Sequence, residues 1–434
     1  MFLSRDCAIL PCFGKAPINS MRNKVITVAI QTLRAAIRSR VVISLLALLV
    51  LVMVILPQTL HGDGTSAGTV RMVLTWTLGI TTTLLAVASL WLGCSTLSSD
   101  IKEGAFTSVR VTAIRSHELW LGKWLGLSLL NLALQGIVLA VLVVQLWLQG
   151  FSIEELRPSQ RSFPSMQGVP EHIAKMDYVP VNPQESMAWT FDWSPSRLPP
   201  DAEIAIHIGA VTSLGRIADS TGVVSVYDDA RRIVFTAPAE SSNGQYFQAL
   251  VPAKDIPPHT KTLTVVYTNT AEEDEHALLM SVRDNVNLLV PGKSFFVNLC
   301  VAGIVLWAIL ATLTALGLTA GALFSLPVAV FVASAIGIIS TLGGPEMMEP
   351  SHEHGDACDH ASSSFSTDAI SRVVSRAVDV LTTPINDAAP LSHLGDRICI
   401  PRLHALQSVL YMGLLMPMLF GLFGAFVLGR REYP

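Results

Sequence analysis

Long blocks without charged side chains constrain this 434-residue chain more than any other feature. A transmembrane helix needs about 20 consecutive apolar residues. Five uncharged blocks reach that length, and they are Val41–Leu60, Met72–Ser99, Trp124–Ile153, Ser294–Pro345 and Ala405–Gly429. Only 14% of all residues are charged, whereas a soluble domain carries about 25%. The pattern predicts a polytopic membrane protein.

The fourth block is long enough for two spans. Small residues at Gly317–Gly321, with Pro327 just beyond, predict a break that divides it into Ser294–Leu316 and Leu318–Leu342. About six transmembrane helices result. The first block is longer than the apolar part of a signal peptide and begins 40 residues into the chain. The sequence leaves open whether translation starts at Met1 or Met21.

Basic residues predict which connections lie in the cytoplasm, because Lys and Arg favour that side in short loops. Three segments are rich in them. The N-terminal segment, the connection between the second and third spans, and the C-terminus carry, in that order, Arg5, Lys15, Arg22, Lys24, Arg34, Arg38, Arg40; Lys102, Arg110, Arg115, Lys123; and Arg430, Arg431. We expect both termini in the cytoplasm and a location in the inner (cytoplasmic) membrane. Segments 151–292 and 343–402 are then expected on the outer, extracytoplasmic side of the membrane.

Residues 24–40 have the spacing of an amphipathic helix. Ile26, Ile30, Leu33 and Ile37 recur on one face, with basic residues on another. Such a helix rests in the headgroup layer with its apolar face down. The alternative is an early start to the first span.

Residues 151–292 change character and predict a β domain. Seven short β-like runs alternate with Pro, Gly, Asn and Asp clusters. The runs are Met187–Trp193, Ile204–Val211, Val223–Tyr227, Ile233–Ala237, Tyr246–Val251, Thr262–Thr268 and Leu278–Val282. The predicted fold is a membrane all-α bundle with an inserted extracytoplasmic β-sandwich-like domain. Its parts are 1–40, spans in 41–150, β domain 151–292, spans in 293–342, outer loop 343–402, and a last span in 403–434.

The connection 98–123 carries the most informative motif. Asp100, Glu103-Gly104, Arg115 and Gly122-Lys123 flank a short apolar-faced helix. This pattern resembles the permease subunits of ABC-2-type transporters, although Ala113 stands where that family often has proline. The resemblance implies an exporter permease on which a cytoplasmic ABC ATPase acts through this connection, and a second permease copy as partner. The implied coupling residues are Asp100, Lys102, Glu103, Gly104, Arg110, Arg115, Glu118 and Lys123.

The chain is expected to bind no ATP and to catalyse nothing. Pro291-Gly292-Lys293-Ser294 ends like a P-loop, but Asn287 occupies the position of the first glycine. ATP and Mg²⁺ are therefore expected in the partner subunit. No nucleic-acid partner is expected, because the sequence shows no stripe of basic residues on a soluble domain. Polar residues in the spans are few, and Asn131, Gln135, Gln145 and Asn298 are interpreted as contacts between helices.

The outer loop gathers metal-binding residue types. His352, His354, Asp356, Cys358 and His360 lie within nine residues and would suit Zn or Cu, although the spacing matches no closed zinc motif. A solvated His-rich loop is the alternative. Cys358 could instead form a disulfide with Cys399 in an oxidising compartment.

Three alternatives to a transporter remain. A mechanotransmission or accessory complex would share the architecture and translocate nothing. A metal-handling membrane protein would depend on His352, His354 and His360, whose replacement would be nearly silent in a permease. A membrane receptor would use the β domain as its sensor and need no ATPase.

Overall fold

The computed structural model divides the chain into two compact units. It describes residues 18–59, 66–102, 115–151, 156–165, 173, 176, 178–193, 202–212, 222–242, 246–270, 278–282, 286–292, 294–342 and 390–430. The first unit comprises Met1–Gly150, Cys300–Ser392 and Ile400–Pro434, and the second comprises Phe151–Leu299 and His393–Cys399. The first is helical and the second is an antiparallel β domain. The predicted combination of helices with an inserted β domain is confirmed at this level.

Nine α-helices occur in the described residues. They are α1 Ile18–Arg38, α2 Arg40–Thr59, α3 Ser66–Lys102, α4 Ser116–Leu148, α5 Phe295–Leu323, α6 Leu326–Leu342, α7 Pro390–Gly395, α8 Arg402–Leu410 and α9 Met416–Arg430. A π-helical turn, Tyr411–Leu415, makes α8 and α9 one continuous rod. Thr312 on α5 donates to the carbonyl of Met412 in that turn, so the irregular backbone is used as an acceptor.

Five helices in the described part of the chain are long and apolar enough to cross a membrane. They are Arg40–Thr59, Gly68–Lys102, Ser116–Leu148, Phe295–Leu323 and Arg402–Gly429. The sixth predicted span corresponds to α6, whose apolar stretch Leu326–Ile338 is shorter than that length. Five of the about six predicted spans are therefore supported by length and composition, while the sixth, whose apolar stretch is shorter, stays a prediction.

The predicted break at Gly317–Gly321 is wrong. Helix α5 continues through both glycines, and the chain breaks at Phe324–Ser325, where α6 starts with Pro327 in its first turn. The glycines instead let α5 approach α3. A Cβ on Gly317 would lie 2.5 Å from the carbonyl oxygen of Leu90, and one on Gly321 would lie 2.5 Å from that of Cys94.

Helix α1 is separate from the first long helix. It ends at Arg38, and the hydroxyl of Ser39 accepts from the Val42 N–H to begin α2. Val28 is buried, whereas Ile26, Ile30 and Ile37 on the predicted apolar face are exposed. The separate helix argues against an early start of the first span. Its place in the headgroup layer stays a prediction.

The β domain contains eleven strands in the described residues. They are β1 Ser159–Ser162, β2 Tyr178–Val181, β3 Ser186–Asp192, β4 Glu203–Thr212, β5 Gly222–Tyr227, β6 Ile233–Pro238, β7 Glu240–Ser242, β8 Tyr246–Pro252, β9 Thr262–Asn269, β10 Leu278–Ser281 and β11 Val286–Pro291. All seven predicted strands are present. The sequence missed β1, β2, β7 and β11.

The strands form two antiparallel sheets with one common hydrophobic core. One has the order β1-β11-β4-β10-β2, with β8 also pairing β4 and β7 pairing β8, and the other has the order β3-β9-β5-β6. Alternation along β9 buries Leu263, Val265 and Tyr267. These side chains meet Phe191 from β3 and Phe247 from β8 in a single cluster.

A short return segment, His393–Cys399, completes the β domain. The Ser159 N–H donates to the Arg397 carbonyl at 2.6 Å, and the Cys399 N–H donates to the Ser159 carbonyl at 2.8 Å. The side-chain amide of Asn298 donates to the Ile398 carbonyl at 3.0 Å. The last residues of the predicted outer loop thus pair with β1 at the edge of its sheet. Their sequence did not indicate this pairing.

Candidate functional site at the start of helix α4

Helix α4 begins with a buried acidic cap. Arg115 is extended, and its backbone N–H donates to the Glu118 carboxylate at 2.9 Å. A carboxylate in the first turn accepts a hydrogen bond from a free backbone N–H and interacts favourably with the positive end of the helix dipole. Glu118 is only 5% exposed, so its carboxylate fixes where α4 starts.

An ion pair joins the start of α4 to the end of α3. The Lys123 ammonium donates a hydrogen bond to the Asp100 carboxylate. It also donates to the Thr96 carbonyl, at 3.3 Å. The Lys123 side chain is 7% exposed and that of Asp100 is 33% exposed. A buried ammonium is costly unless paired, so this contact holds the two helix ends together.

Two glycines bring α1 against the same turns of α4. A Cβ on Gly122 would lie 2.6 Å from the Cβ of Val28, and one on Gly126 would lie 2.6 Å from the carbonyl oxygen of Ala29. Any larger residue would separate the helices. The spacing of four residues places both glycines on one face of α4.

Two tryptophans, four residues apart, extend from α4 to other helices. Trp120 and Trp124 stack with ring centroids 6.4 Å apart. The Trp124 indole donates to the Ala311 carbonyl of α5 at 3.0 Å. The Trp120 ring lies against Gly421 and Gly424 of α9.

These contacts define the α4 junction, which consists of Trp120, Gly122, Lys123, Trp124 and Gly126. Through it the first turns of α4 contact α1, α3, α5 and α9. A displacement of this end of α4 must therefore be accommodated by four other helices, since packed interiors deform little.

The structure brings together four of the eight predicted coupling residues in two pairs, Asp100 with Lys123 and Arg115 with Glu118. Lys102 is exposed at the end of α3. Glu103, Gly104 and Arg110 lie outside the described residues. The sequence reasoning singled out the Gly122-Lys123 pair but missed Trp120, Trp124 and Gly126. Their repeat at four-residue spacing was the available signal.

The predicted metal residues His352, His354, Asp356, Cys358 and His360 also lie outside the described residues. Cys399 has no disulfide partner among the residues that the structure describes, so a bridge to Cys358 stays a prediction. Within the same ranges, no group of three His, Cys, Asp or Glu residues could hold a metal.

Two of the polar side chains that were interpreted as contacts between helices do bond to neighbouring helices. Asn131 donates to the Thr314 hydroxyl at 2.9 Å, and Gln145 donates to the Met53 carbonyl. Gln135 differs, because its buried amide finds no partner among the described residues.

A set of polar residues in the β domain does not belong to the α4 junction. His207 and Asn287 lie opposite each other on β4 and β11. Burial and, secondarily, the charge of Arg161 lower the pKa of His207 to about 4. Burial also lowers the pKa of Arg161, against the opposing effect of Asp396. This histidine is therefore neutral at pH 7.

Comparison with known proteins adds no relative, because no family model, curated protein or solved structure matches the chain.

Proposed function

We propose that this chain is the permease subunit of an ATP-driven ABC-2-type transporter, an exporter of the cell membrane that works with a separate ABC ATPase. The observation that carries the proposal is the α4 junction, which follows directly after the connection 98–123 that bears the permease-like motif. A docking segment can move a bundle only if its base is rigid and connected. The Lys123–Asp100 pair and the Glu118 cap supply such a base.

A membrane setting is supported by the outward surface of the helices. Large apolar side chains such as Ile43, Leu51 and Leu422 are more than half exposed. Water would make that surface unfavourable, whereas lipid would not. Five helices of sufficient length and apolarity support the same setting.

The partner ATPase would supply ATP and Mg²⁺, and a second permease copy would complete the pathway. In the proposed arrangement the segment 103–114 docks into the ATPase. Glu118 and Lys123 are buried, which supports a role in holding the base of this segment. Lys102 and Arg115 are exposed and would contact the partner.

The proposal is tested by charge reversal in the docking segment. Glu103→Lys should abolish permease-stimulated ATP turnover by the partner, because it reverses a charge of the docking segment while leaving the α4 junction intact. Glu203→Lys, an exposed reversal at the start of β4, is the matched control and should behave as wild type. Normal complex formation and normal stimulated turnover in Glu103→Lys would refute the assignment.

A mechanotransmission complex is the second candidate, and the bonded state of Asn131 and Gln145 favours it because a substrate path needs free polar groups. Gln135 distinguishes the two. In a transporter, a Gln135→Cys thiol should react with a membrane-impermeant reagent during ATP turnover. In a force-transmitting complex it should stay protected throughout.

A further inference from the structure

The contact between Trp120 and α9 is as close as the contacts of Gly122 and Gly126 with α1. A Cβ on Gly421 would lie 2.6 Å from Cζ3 of the Trp120 ring, and one on Gly424 would lie 2.9 Å from its Nε1. The ring is almost wholly buried. The indole thus occupies a slot that exists only because positions 421 and 424 have no side chain.

The Trp120 N–H has no acceptor within the described part of the chain, although it is buried. A buried indole N–H nearly always finds one. The Thr319 hydroxyl is a candidate acceptor, because its Oγ1 would lie 3.2 Å, and the Trp120 Nε1 2.9 Å, from the same Cβ position on Gly424. At present that hydroxyl is within hydrogen-bond distance of the Ala315 carbonyl, at 2.9 Å, and of the Phe420 carbonyl, at 3.0 Å. Its lone pairs remain able to accept.

We infer that Trp120 is a positioning residue that transmits movement of α4 to α9, and that its indole N–H bonds to the Thr319 hydroxyl in the alternative state. In this proposal the present packing, with its unmet N–H, is one of two arrangements, and a small displacement of α4 would bring the N–H to its acceptor. Because α5 carries Thr319 and α9 carries the glycines, one side chain biases both helices. The inference rests on the proposed function, since the ATPase supplies the displacement.

The slot itself can be tested without any ATPase. Spin labels at Ile26→Cys and Met418→Cys, both exposed positions on α1 and α9, report the distance across the junction in the full chain. Gly421→Ala should shift that distance distribution, because the added methyl overlaps the Trp120 ring. Gly429→Ala is the matched control, since no atom lies within 4 Å of its Cβ position. An unchanged distribution in Gly421→Ala would overturn the slot.

Transmission is then measured as ATP turnover of the complex. Trp120→Phe keeps an aromatic ring but loses the N–H and part of the indole's volume, and Thr319→Val loses the acceptor at nearly constant volume. Each should lower stimulated turnover about tenfold, a typical coupling between sites, while the ATPase still co-purifies in full. Thr83→Val, which removes an exposed hydroxyl bonded only within its own helix, should have no effect.

The outcomes separate the two claims. Wild-type turnover in both Trp120→Phe and Thr319→Val overturns the role of the N–H, while leaving the permease assignment intact. Absence of an ATPase from the wild-type preparation contradicts the proposed function and the transmission role with it.

Discussion

The helical unit and the β domain treat apolar side chains in opposite ways. In the β domain, Phe247 and Tyr267 are fully buried and stack with ring centroids 5.1 Å apart. In the helices, Trp147 and Phe331 are each 74% exposed, and most of the large exposed apolar side chains belong to this unit. The helices meet one another through glycines and hydrogen bonds at Gly93, Gly317 and Asn131.

The proposed membrane setting accounts for this contrast, because the helices and the β domain would then lie in different solvents. A domain in water gains stability by burying aromatic and aliphatic area. Helices in lipid gain little from such burial and associate instead through close packing and polar contacts. Four predictions test this contrast and the α4 junction.

Truncation of the β core should have the largest effect. Phe247→Ala should destabilise the β domain by about 3–5 kcal/mol, because it removes a fully buried ring and leaves a cavity. Denaturant unfolding of the purified protein measures this. Leu250→Ala, on the exposed side of the same strand, should cost far less. Equal losses in the two variants would contradict the common core of the two sheets.

A charge on the exposed face of α2 should disturb the helix only if lipid surrounds it. Leu51→Lys, near the middle of α2, should reduce membrane insertion by about 2.5–3.5 kcal/mol. Leu250→Lys, an equally exposed leucine of the β domain, should change stability by about 0.5 kcal/mol or less. A glycosylation-based insertion assay measures the membrane insertion of Leu51→Lys. Normal insertion of Leu51→Lys would show that α2 does not face lipid.

Loss of the ion pair at the α4 junction should have a smaller effect. Asp100→Asn should lower stability by about 1–3 kcal/mol, because the buried Lys123 ammonium loses its charged partner but keeps the Thr96 carbonyl. Thermal unfolding in detergent measures the loss. Adding Lys123→Met to Asp100→Asn should recover part of it, and strictly additive losses would show that the pair does not interact.

Acid should weaken the β domain through His207. Its pKa is about 4 in the folded domain and 6.5 when unperturbed, so the unfolded chain takes up the proton first. The contribution of His207 to stability is therefore complete well above pH 6.5 and falls by about 2 kcal/mol as the pH drops to about 5. Hydrogen exchange of β4 amides measures the change. His207→Gln should reduce this pH dependence, and an unaltered profile would assign it to other groups.

The sequence predicted the elements better than their ends and contacts. Uncharged length identifies the long helices because lipid excludes charge, and alternation identifies strands such as β9. The break at Gly317 was wrong because glycine serves close helix contact as well as chain breaks, and only tertiary structure distinguishes the two uses. Strand β11 was missed since its pattern is continuously buried, without alternation.

The candidate site was predicted only in part for a similar reason. Asp100, Arg115, Glu118 and Lys123 were found from a motif in the sequence, but that motif does not say that Asp100 pairs with Lys123. Trp120 looks like any apolar residue of a span. Its importance lies in Gly421 and Gly424, some 300 residues away in the chain, which single-sequence reasoning does not connect.

The most direct test of the proposed function is purification of the tagged chain in mild detergent, followed by mass spectrometry of its partners. A stoichiometric cytoplasmic ABC ATPase is expected with the wild-type chain and with Trp120→Phe. Recovery of the intact chain without any ATPase, in several detergents, would contradict the proposed function.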